Sequence, residues 1–429
     1  MPGRWRARRT KRSGRRSSSA RHLARNKILL GNALSILKTL PSNSIDCCVT
    51  SPPFYKLRNY GKLADTIWGG ETHCRHEWVK ACKTSGSFCR KCDGFKGQLG
   101  QEPTVELYTE HLVEIFNEVR RVLTEHGSLW LNLGDTYCST AKCEPHHFLK
   151  LKDICGVPWV VALALRQSGY YLRSDIVWYK PNCLPESIKD RPTRAHEYVF
   201  LLTKSSEYYY DAHAIREPSS QSSIKRVRQK NFWSQKGGVK DYIHGVNPSR
   251  SARKALENFA RNPGSRNKRS VWTIPTQPYK GAHFAVFPEE LARLCILAGC
   301  PERVCSKCGK PRAKIVKTKV LDMGRTYADK TADEVKTSPT SALRFKHKKT
   351  ITRVTGYTTC HCRARHRRGI VLDIFAGAGT TALVAHKLTR DYIGIEINSA
   401  YVRLANRRIR RQEIRSLGEH SLTQRGGYR

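Results

Sequence analysis

The apolar pattern begins at Lys27, where KILLGNALSILKTL reads as a short strand and then a helix, with a second strand over Ile45–Thr50. Pro103 stands where a helix would start, and Leu107, Leu112, Ile115, Phe116, Val119 and Leu123 keep helical spacing after it. Gly127 gives way to SLWLNLGD, a strand ending at Asp135. Beyond it the pattern predicts a helix near PWVVALALRQ and strands at YLRSDIVWY and EYVFLLTK. Near the end, RRGIVLDIF reads as a strand, the residues to about Leu388 as an amphipathic helix, and DYIGIEIN as a strand closing on Glu396. Strands alternating with helices predict an α/β fold with a mostly parallel, doubly wound sheet.

Several stretches break this rhythm. Residues 1–26 hold no acid, many arginines and a serine run, a composition that buries no core and predicts disorder. Such a tail suits electrostatic binding of nucleic acid, a nuclear address or an organellar transit peptide. Residues 69–100 are rich in Cys, His and Gly; residues 205–270 are basic with scattered aromatics; residues 300–368 join cysteines to a polar, basic loop; residues 414–429 read as a flexible tail. A chain of 429 residues holds one large domain with insertions, or two domains. It contains no run of eighteen apolar residues, so no membrane-spanning segment is expected.

Charge narrows the partners. Lys and Arg number 78 against 35 Asp and Glu, a formal net charge of +43, and so large an excess points to a polyanion, nucleic acid first. The 16 cysteines come without an apolar signal segment and several stand at C-x-C or C-x-x-C spacing, which favours reduced thiols and metal ligands over a disulfide scaffold. Cys74-x-His76 with Cys89-x-x-Cys92 is one four-ligand set, with Cys82 a substitute for His76. Cys305-x-x-Cys308 with Cys360-x-Cys362 is a second, with Cys300 or His361 as substitutes. Paired short loops of this kind suit two closed, structural zinc sites.

Two loops carry the candidate chemistry. Ser51-Pro52-Pro53-Phe54 ends the 45–50 strand, and its consecutive prolines remove two backbone donors and fix two φ angles, so neither a helix nor a central ladder continues there. Ala376-Gly377-Ala378-Gly379-Thr380-Thr381 turns a strand into a helix, and Glu396 closes the next strand. Glycines at such a turn let a nucleotide-like ligand approach the backbone, and the acid can hold ribose hydroxyls. No Gly-Lys-[Ser/Thr] follows the turn, so the adenosyl group of S-adenosylmethionine, with ribose hydroxyls and no phosphates, fits better than a nucleotide phosphate.

DIFAGAGTT and GIEIN, preceded in the chain by TSPPF, resemble the amino-methyltransferases of DNA in their permuted order, catalytic half first and cofactor half last. HFAVFPEEL, DRPTRAHEYVFLLTKS and LRSDIVWYKPN match the family's further segments, and the resemblance runs from about Lys27 to Arg410. It implies a Rossmann-like methyltransferase sheet with two zinc-binding insertions and a basic target-recognition insertion at 205–270. The catalytic half then spans 27–204, a cofactor-side segment 271–299 and the cofactor-binding half 369–413. S-adenosylmethionine is expected against Asp373, Phe375, Gly377, Gly379, Thr380 and Glu396, bordered by His283, Phe284 and Phe287. Where the family usually has Asp-Pro-Phe and often Gly-Asp, this chain has Asp373-Ile374-Phe375 and Gly31-Asn32.

In this family the target is an exocyclic amine, a poor nucleophile because its lone pair is delocalised into the ring. Ser51 Oγ and the Pro52 carbonyl are the acceptors expected to draw it toward tetrahedral geometry, with Pro53 keeping the loop rigid and Phe54 stacking on a base flipped from duplex DNA. The rival attack at a ring carbon needs a Pro-Cys nucleophile, and no such dipeptide occurs; Cys47 and Cys48 read as core. Asp135, the Lys180-Pro181-Asn182 turn and His196-Glu197 read equally as target-positioning groups or as caps. Serine before Pro-Pro usually accompanies cytosine, so the expected product is N4-methylcytosine, with N6-methyladenine the alternative. A non-catalytic chromatin-binding protein of the same fold and an RNA substrate are the other readings weighed. The basic tail suggests the nucleus of a eukaryote, and the family's usual hosts the bacterial cytoplasm.

Overall fold

The computed structural model describes residues 23–80, 86–138, 149–229, 257, 259–260, 264–277, 287–326 and 345–425. Strands β1 (Lys27–Leu30), β2 (Ile45–Thr50), β3 (Leu123–Leu133), β4 (Tyr171–Tyr179), β5 (His196–Thr203), β6 (Val271–Thr273), β7 (Ile370–Asp373) and β8 (Asp391–Glu396) form one sheet. Its order is β1-β8-β7-β2-β3-β5-β4-β6. All neighbours are parallel except β5, which runs antiparallel to both β3 and β4. The chain returns from β4 to β5 through a loop, and without a crossover helix the returning strand must run the other way.

Helices α1 (Ala33–Thr39), α2 (Val105–Val122) and α3 (Val157–Gln167) cover one face of the sheet, and α4 (Glu289–Gly299), α5 (Thr380–Lys387) and α6 (Ser399–Arg425) the other. Because both faces are covered, the central strands read as near-continuous apolar runs. Cys47 and Cys48 are fully buried and, one residue apart, belong to opposite layers. Burial pushes both thiols up, so each acts as a small core hydrophobe.

Local chemistry sets the helix starts. Asn32 caps α1, its Oδ1 accepting from the Ser35 N–H at 3.1 Å, and Thr104 caps α2 through the Leu107 N–H at 3.0 Å. The stripe of Tyr108, Leu112, Ile115, Phe116 and Val119 packs under the sheet. Leu123 already belongs to β3, because the chain leaves α2 directly into the ladder opposite Ile45.

Three elements depart from the sequence pattern. The short β6 lies outside every predicted strand and borders β4 in parallel. Arg25 and Asn26, placed in the disordered tail, are tied to the sheet: the Asn26 N–H donates to Tyr392 O at 2.7 Å and Arg25 pairs with Asp391. At the other end α6 continues to Arg425, where a flexible tail was expected from residue 414; that stretch contains no proline to stop a helix. Residues 1–22, and most of the recognition insertion at 205–270, lie outside the described residues. No helix among the described residues is long and apolar enough to cross a membrane.

Both cysteine regions fold as small antiparallel sheets. The first orders Asp65–Trp68, Phe95–Gln98, Ser87–Cys89 and Trp78–Lys80. The second orders Pro311–Arg312, Arg303–Cys305 and His366–Arg367, and leads into a ribbon of Lys314–Thr326 against Phe345–Tyr357. Arg367 fastens this second sheet to the core. Its Nη2 donates to Asp46 Oδ1 at 3.1 Å and its Nη1 to Oδ2, which also accepts the Ile370 N–H at 2.8 Å. Asp46 is 2% exposed, and burial raises its carboxyl even against the guanidinium. Arg367→Ala, which strands that carboxylate, should cost about 3–5 kcal/mol in urea unfolding. Adding Asp46→Asn to the same chain should recover part of the loss.

Candidate active site

A cavity of about 1020 Å³ opens along the edge of the sheet where β2, β7 and β8 end. Ser51, Pro52, Pro53 and Phe54 line it from the end of β2, and Phe375, Gly377 and Glu396 from the ends of β7 and β8. Two loops more than 300 residues apart in the chain therefore share one cavity, at the position where open α/β sheets take their ligands.

Proline rigidity is only part of what holds the first loop. The Tyr108 hydroxyl donates to Pro53 O at 2.7 Å, which occupies that carbonyl and leaves the Pro52 carbonyl for another donor. The Lys56 N–H donates to Gly100 O at 2.7 Å, and Gly100 sits at φ +89°, where a Cβ would meet Phe54 O at 3.0 Å. Phe54 itself lies on Gly134: a Cβ there would be 2.5 Å from Phe54 Cε2.

Glu396 is locked from both sides. Its Oε2 accepts the Gly377 N–H and its Oε1 the Asn398 N–H, each at 2.8 Å. Each oxygen keeps a lone pair for a further donor, as a ribose diol requires. Burial raises the Glu396 carboxyl above the ordinary glutamate range, partly countered by those backbone donors. Phe287, Ile397 and Tyr401 add apolar wall beside it.

The remaining glycine-loop residues shape the turn from behind. Asp373 is buried; its Oδ1 accepts from Thr50 Oγ1 at 2.7 Å and from the Phe375 N–H at 3.1 Å. Gly379, at φ +75°, starts α5 against Ala405, where a Cβ would come within 2.7 Å of the Ala405 Cβ. Thr380 Oγ1 accepts from Arg408 Nη1 at 3.1 Å. None of these three lines the cavity. His283 and Phe284 lie outside the described residues. Ile374, in place of the family's proline, lines the wall, and Asn32, in place of its aspartate, spends Oδ1 on the α1 cap and Nδ2 on Thr66 Oγ1 at 3.0 Å.

The far wall carries a polar network that the sequence patterns left unassembled. Glu197 accepts from Lys180 Nζ through one oxygen and from Asn132 Nδ2 at 2.9 Å through the other. Asp135 lies outside the cavity lining, its Oδ1 accepting the Thr136 and Val157 N–H groups at 3.0 and 3.1 Å; burial raises its carboxyl, with Arg194 opposing. His196 does not line the cavity, and burial lowers its imidazole. Tyr108 was read as one residue of an apolar stripe, and Gly134 as the end of a strand. Arg194 passed unmarked because a lone arginine in a basic chain gives no signal.

The two cysteine sets converge as their spacing implies. Cys74, His76, Cys89 and Cys92 gather their ligand atoms within 4.8 Å of one another, and so do Cys305, Cys308, Cys360 and Cys362. Sγ–Sγ separations are 3.8 Å for Cys74–Cys89 and 3.7 Å for Cys308–Cys360, and Cys92 Sγ lies 3.4 Å from His76 Nδ1. A tetrahedral ion with bonds of about 2.3 Å to sulfur has edges of about 3.8 Å, so both clusters have zinc dimensions. Cys300 belongs instead to the core, fully buried, with its thiol pushed up by burial. Cys82 lies outside the described residues.

The DNA methylase family profile matches residues 45–316 and 360–407. This chain belongs to the DNA methylase family. The Type II methyltransferase M.SmaI of Serratia marcescens is 32% identical to it over 403 residues, covering 90% of this chain and 91% of its own. The Type II methyltransferase M.Cfr9I of Citrobacter freundii is 32% identical over 400 residues, covering 89% and 87%. Among solved structures, the cytosine-N4-specific PvuII DNA methyltransferase superposes with a TM-score of 0.46 at 15% identity, covering 90% of this chain and 88% of its own. The profile passes over residues 317–359, which hold most of the ribbon on the second cysteine sheet.

The contact between Phe54 and Gly134 is open to a direct test. Gly134→Ala must displace the ring or the loop, and about 1 Å of misplacement is enough to slow methyl transfer roughly a hundredfold. Calorimetric affinity for S-adenosylmethionine should stay at the wild-type value, since Gly134 is remote from Glu396 along the sheet.

Proposed function

We propose that this methyltransferase uses S-adenosylmethionine to methylate the exocyclic amine of cytosine in duplex DNA, giving N4-methylcytosine. The observation that carries the reading is the single cavity shared by Ser51–Phe54 and the Glu396–Gly377 turn. An amine held at the first loop can face a methyl donor held at the second.

When bound, S-adenosylmethionine supplies an electrophilic methyl on a sulfonium. The chain's own task is to hold two partners and sharpen the nucleophile. Glu396 takes the ribose hydroxyls through its remaining lone pairs, and Phe375, Ile397 and Tyr401 offer apolar surface to the adenine. Ser51 Oγ and the Pro52 carbonyl accept the two amine N–H bonds. That draws the nitrogen lone pair out of the ring and aims it at the methyl carbon. Tyr108, by occupying the Pro53 carbonyl, prevents the loop from turning the wrong acceptor inward. Phe54 replaces the stacking that the base gives up on leaving the duplex, a cost of a few kcal/mol. A carbon–nitrogen bond forms as the carbon–sulfur bond breaks, and the proton left on the amine passes to water.

Serine before the prolines supports cytosine over adenine. Digestion of methylated duplex to nucleosides, with mass spectrometry, should find N4-methylcytosine; methyladenosine as sole product would overturn the base assignment and leave the loop mechanism standing. Ser51→Ala and Phe54→Ala should each depress turnover by roughly a hundredfold or more, in line with the loss of one transition-state hydrogen-bond partner, and change cofactor affinity little.

The same reading includes two structural zinc ions, one on each cysteine cluster. Full sets of sulfur and imidazole ligands leave no open coordination position, so the ions would hold the small sheets together and take no part in transfer. Elemental analysis of purified protein should return two equivalents of zinc per chain, and strong chelators should unfold or precipitate it. Protein that folds, binds DNA and contains no metal would end this assignment.

A further inference from the structure

We propose that Arg194 reads the carbonyl edge of the flipped cytosine, donating to its ring nitrogen N3 and its 2-oxo group. The inference rests on the cytosine reading above and adds the residue that enforces it. Arg194 lines the cavity with a side chain only 15% exposed. Its Nη2 faces Asp135 Oδ2 at 3.6 Å, while its Nε and Nη1 are buried with no hydrogen-bond partner. A buried donor without an acceptor is costly, and a charged one more so. The other polar groups of that wall are spent: Lys180 and Asn132 both donate to Glu197. Arg194 thus offers adjacent unspent N–H groups to whatever fills the cavity.

Strand order says what that is. Along the sheet edge the ribose acid ends β8, the glycine turn ends β7 and the amine loop ends β2; then come the end of β3 at Asp135 and the start of β5 just after Arg194. With about 4.8 Å between strands, Arg194 lies two strand spacings beyond the amine loop, on the side away from the cofactor. A base whose amine sits at Ser51 extends its ring in that direction. Cytosine presents amine, N3 and O2 in a row, so a guanidinium fork beyond the amine meets two acceptors. Adenine presents its amine, one ring nitrogen and then a C–H, which strands one buried donor. Sites built this way discriminate through the unpaired group they leave behind.

The remaining anions fit less well. A cofactor carboxylate would have to reach past the amine loop, and a DNA phosphate would have to enter a buried pocket. The experiment uses the full-length enzyme and duplexes in its own recognition context, identified by sequencing its methylated product, with cytosine, adenine or an abasic site at the target position. Wild type making only methyladenine would end the cytosine reading before any variant is made, and this inference with it. If wild type makes N4-methylcytosine, Arg194→Met should lower kcat/KM on cytosine about 10- to 100-fold, the size of one or two charge-assisted hydrogen bonds. The preference for cytosine over adenine should shrink by a similar factor. Affinities for S-adenosylmethionine and for the abasic duplex should be unchanged. Arg194→Lys, which keeps a charge beside Asp135, should fold as wild type and show the same narrowing in smaller measure. An unaltered cytosine-to-adenine ratio in both variants, an equal loss on abasic DNA, or a loss of cofactor affinity would each overturn the assignment.

Discussion

Everything at the active site depends on one pairing in the middle of the sheet. β2 and β7 lie side by side, Cys47 opposite Val371 and Cys48 opposite Leu372, although 323 residues separate Thr50 from Asp373. The buried hydrogen bond from Thr50 to Asp373 and the one from Thr381 to Val49 O, at 3.3 Å, tie the loop-bearing ends of these strands together. A one-residue slip would turn each strand's inward residues to the opposite layer and carry the two loops out of register. Two inward-facing apolar sets, one on each face, make such a slip expensive. The distance between target amine and methyl donor is thereby set by core packing, and neither loop has to set it alone.

Much of this was legible because strands buried on both faces and glycine turns both have strong patterns. IDCCVT, IVLD and DYIGIE are too apolar for an edge, and Gly377 and Gly379 stand where only close backbone approach explains them. The cysteine pairs were legible for the same kind of reason, since short ligand spacing is itself geometry. What escaped was long-range. Gly134 is an ordinary turn residue until Phe54, 80 positions earlier, lies on it. Asn132, Lys180 and Glu197 come from three different strands or their ends, and no local spacing joins them. The partition of the glycine loop was equally invisible: Gly377 and Phe375 face the cavity, while Asp373, Gly379 and Thr380 shape the turn behind it.

The additions to the sheet share a pattern of attachment. The first cysteine sheet reaches the site directly, since Thr66 and Trp68 line the cavity and Thr66 accepts from Asn32. The second is held by Arg367 on a buried carboxylate in β2, the strand that ends in the amine loop. Its ribbon carries Lys317, Lys319, Lys349 and Arg353 in directly opposed register positions, Lys317 against Arg353 and Lys319 against Ile351 with Lys349 two residues on. Basic chemistry thus extends well beyond the region that the profile matches.

β1 lies beside β8 with Lys27 opposite Ile393, and α6 packs back against β1. The first strand of the fold and the last therefore meet at the same edge. A short peptide bridge there, with a new opening elsewhere in the chain, would leave every strand neighbour and both loops in place. Synthesis would then begin with the cofactor half and end with the amine loop. For this architecture, where translation starts is a matter of genetic wiring, and catalysis is indifferent to it.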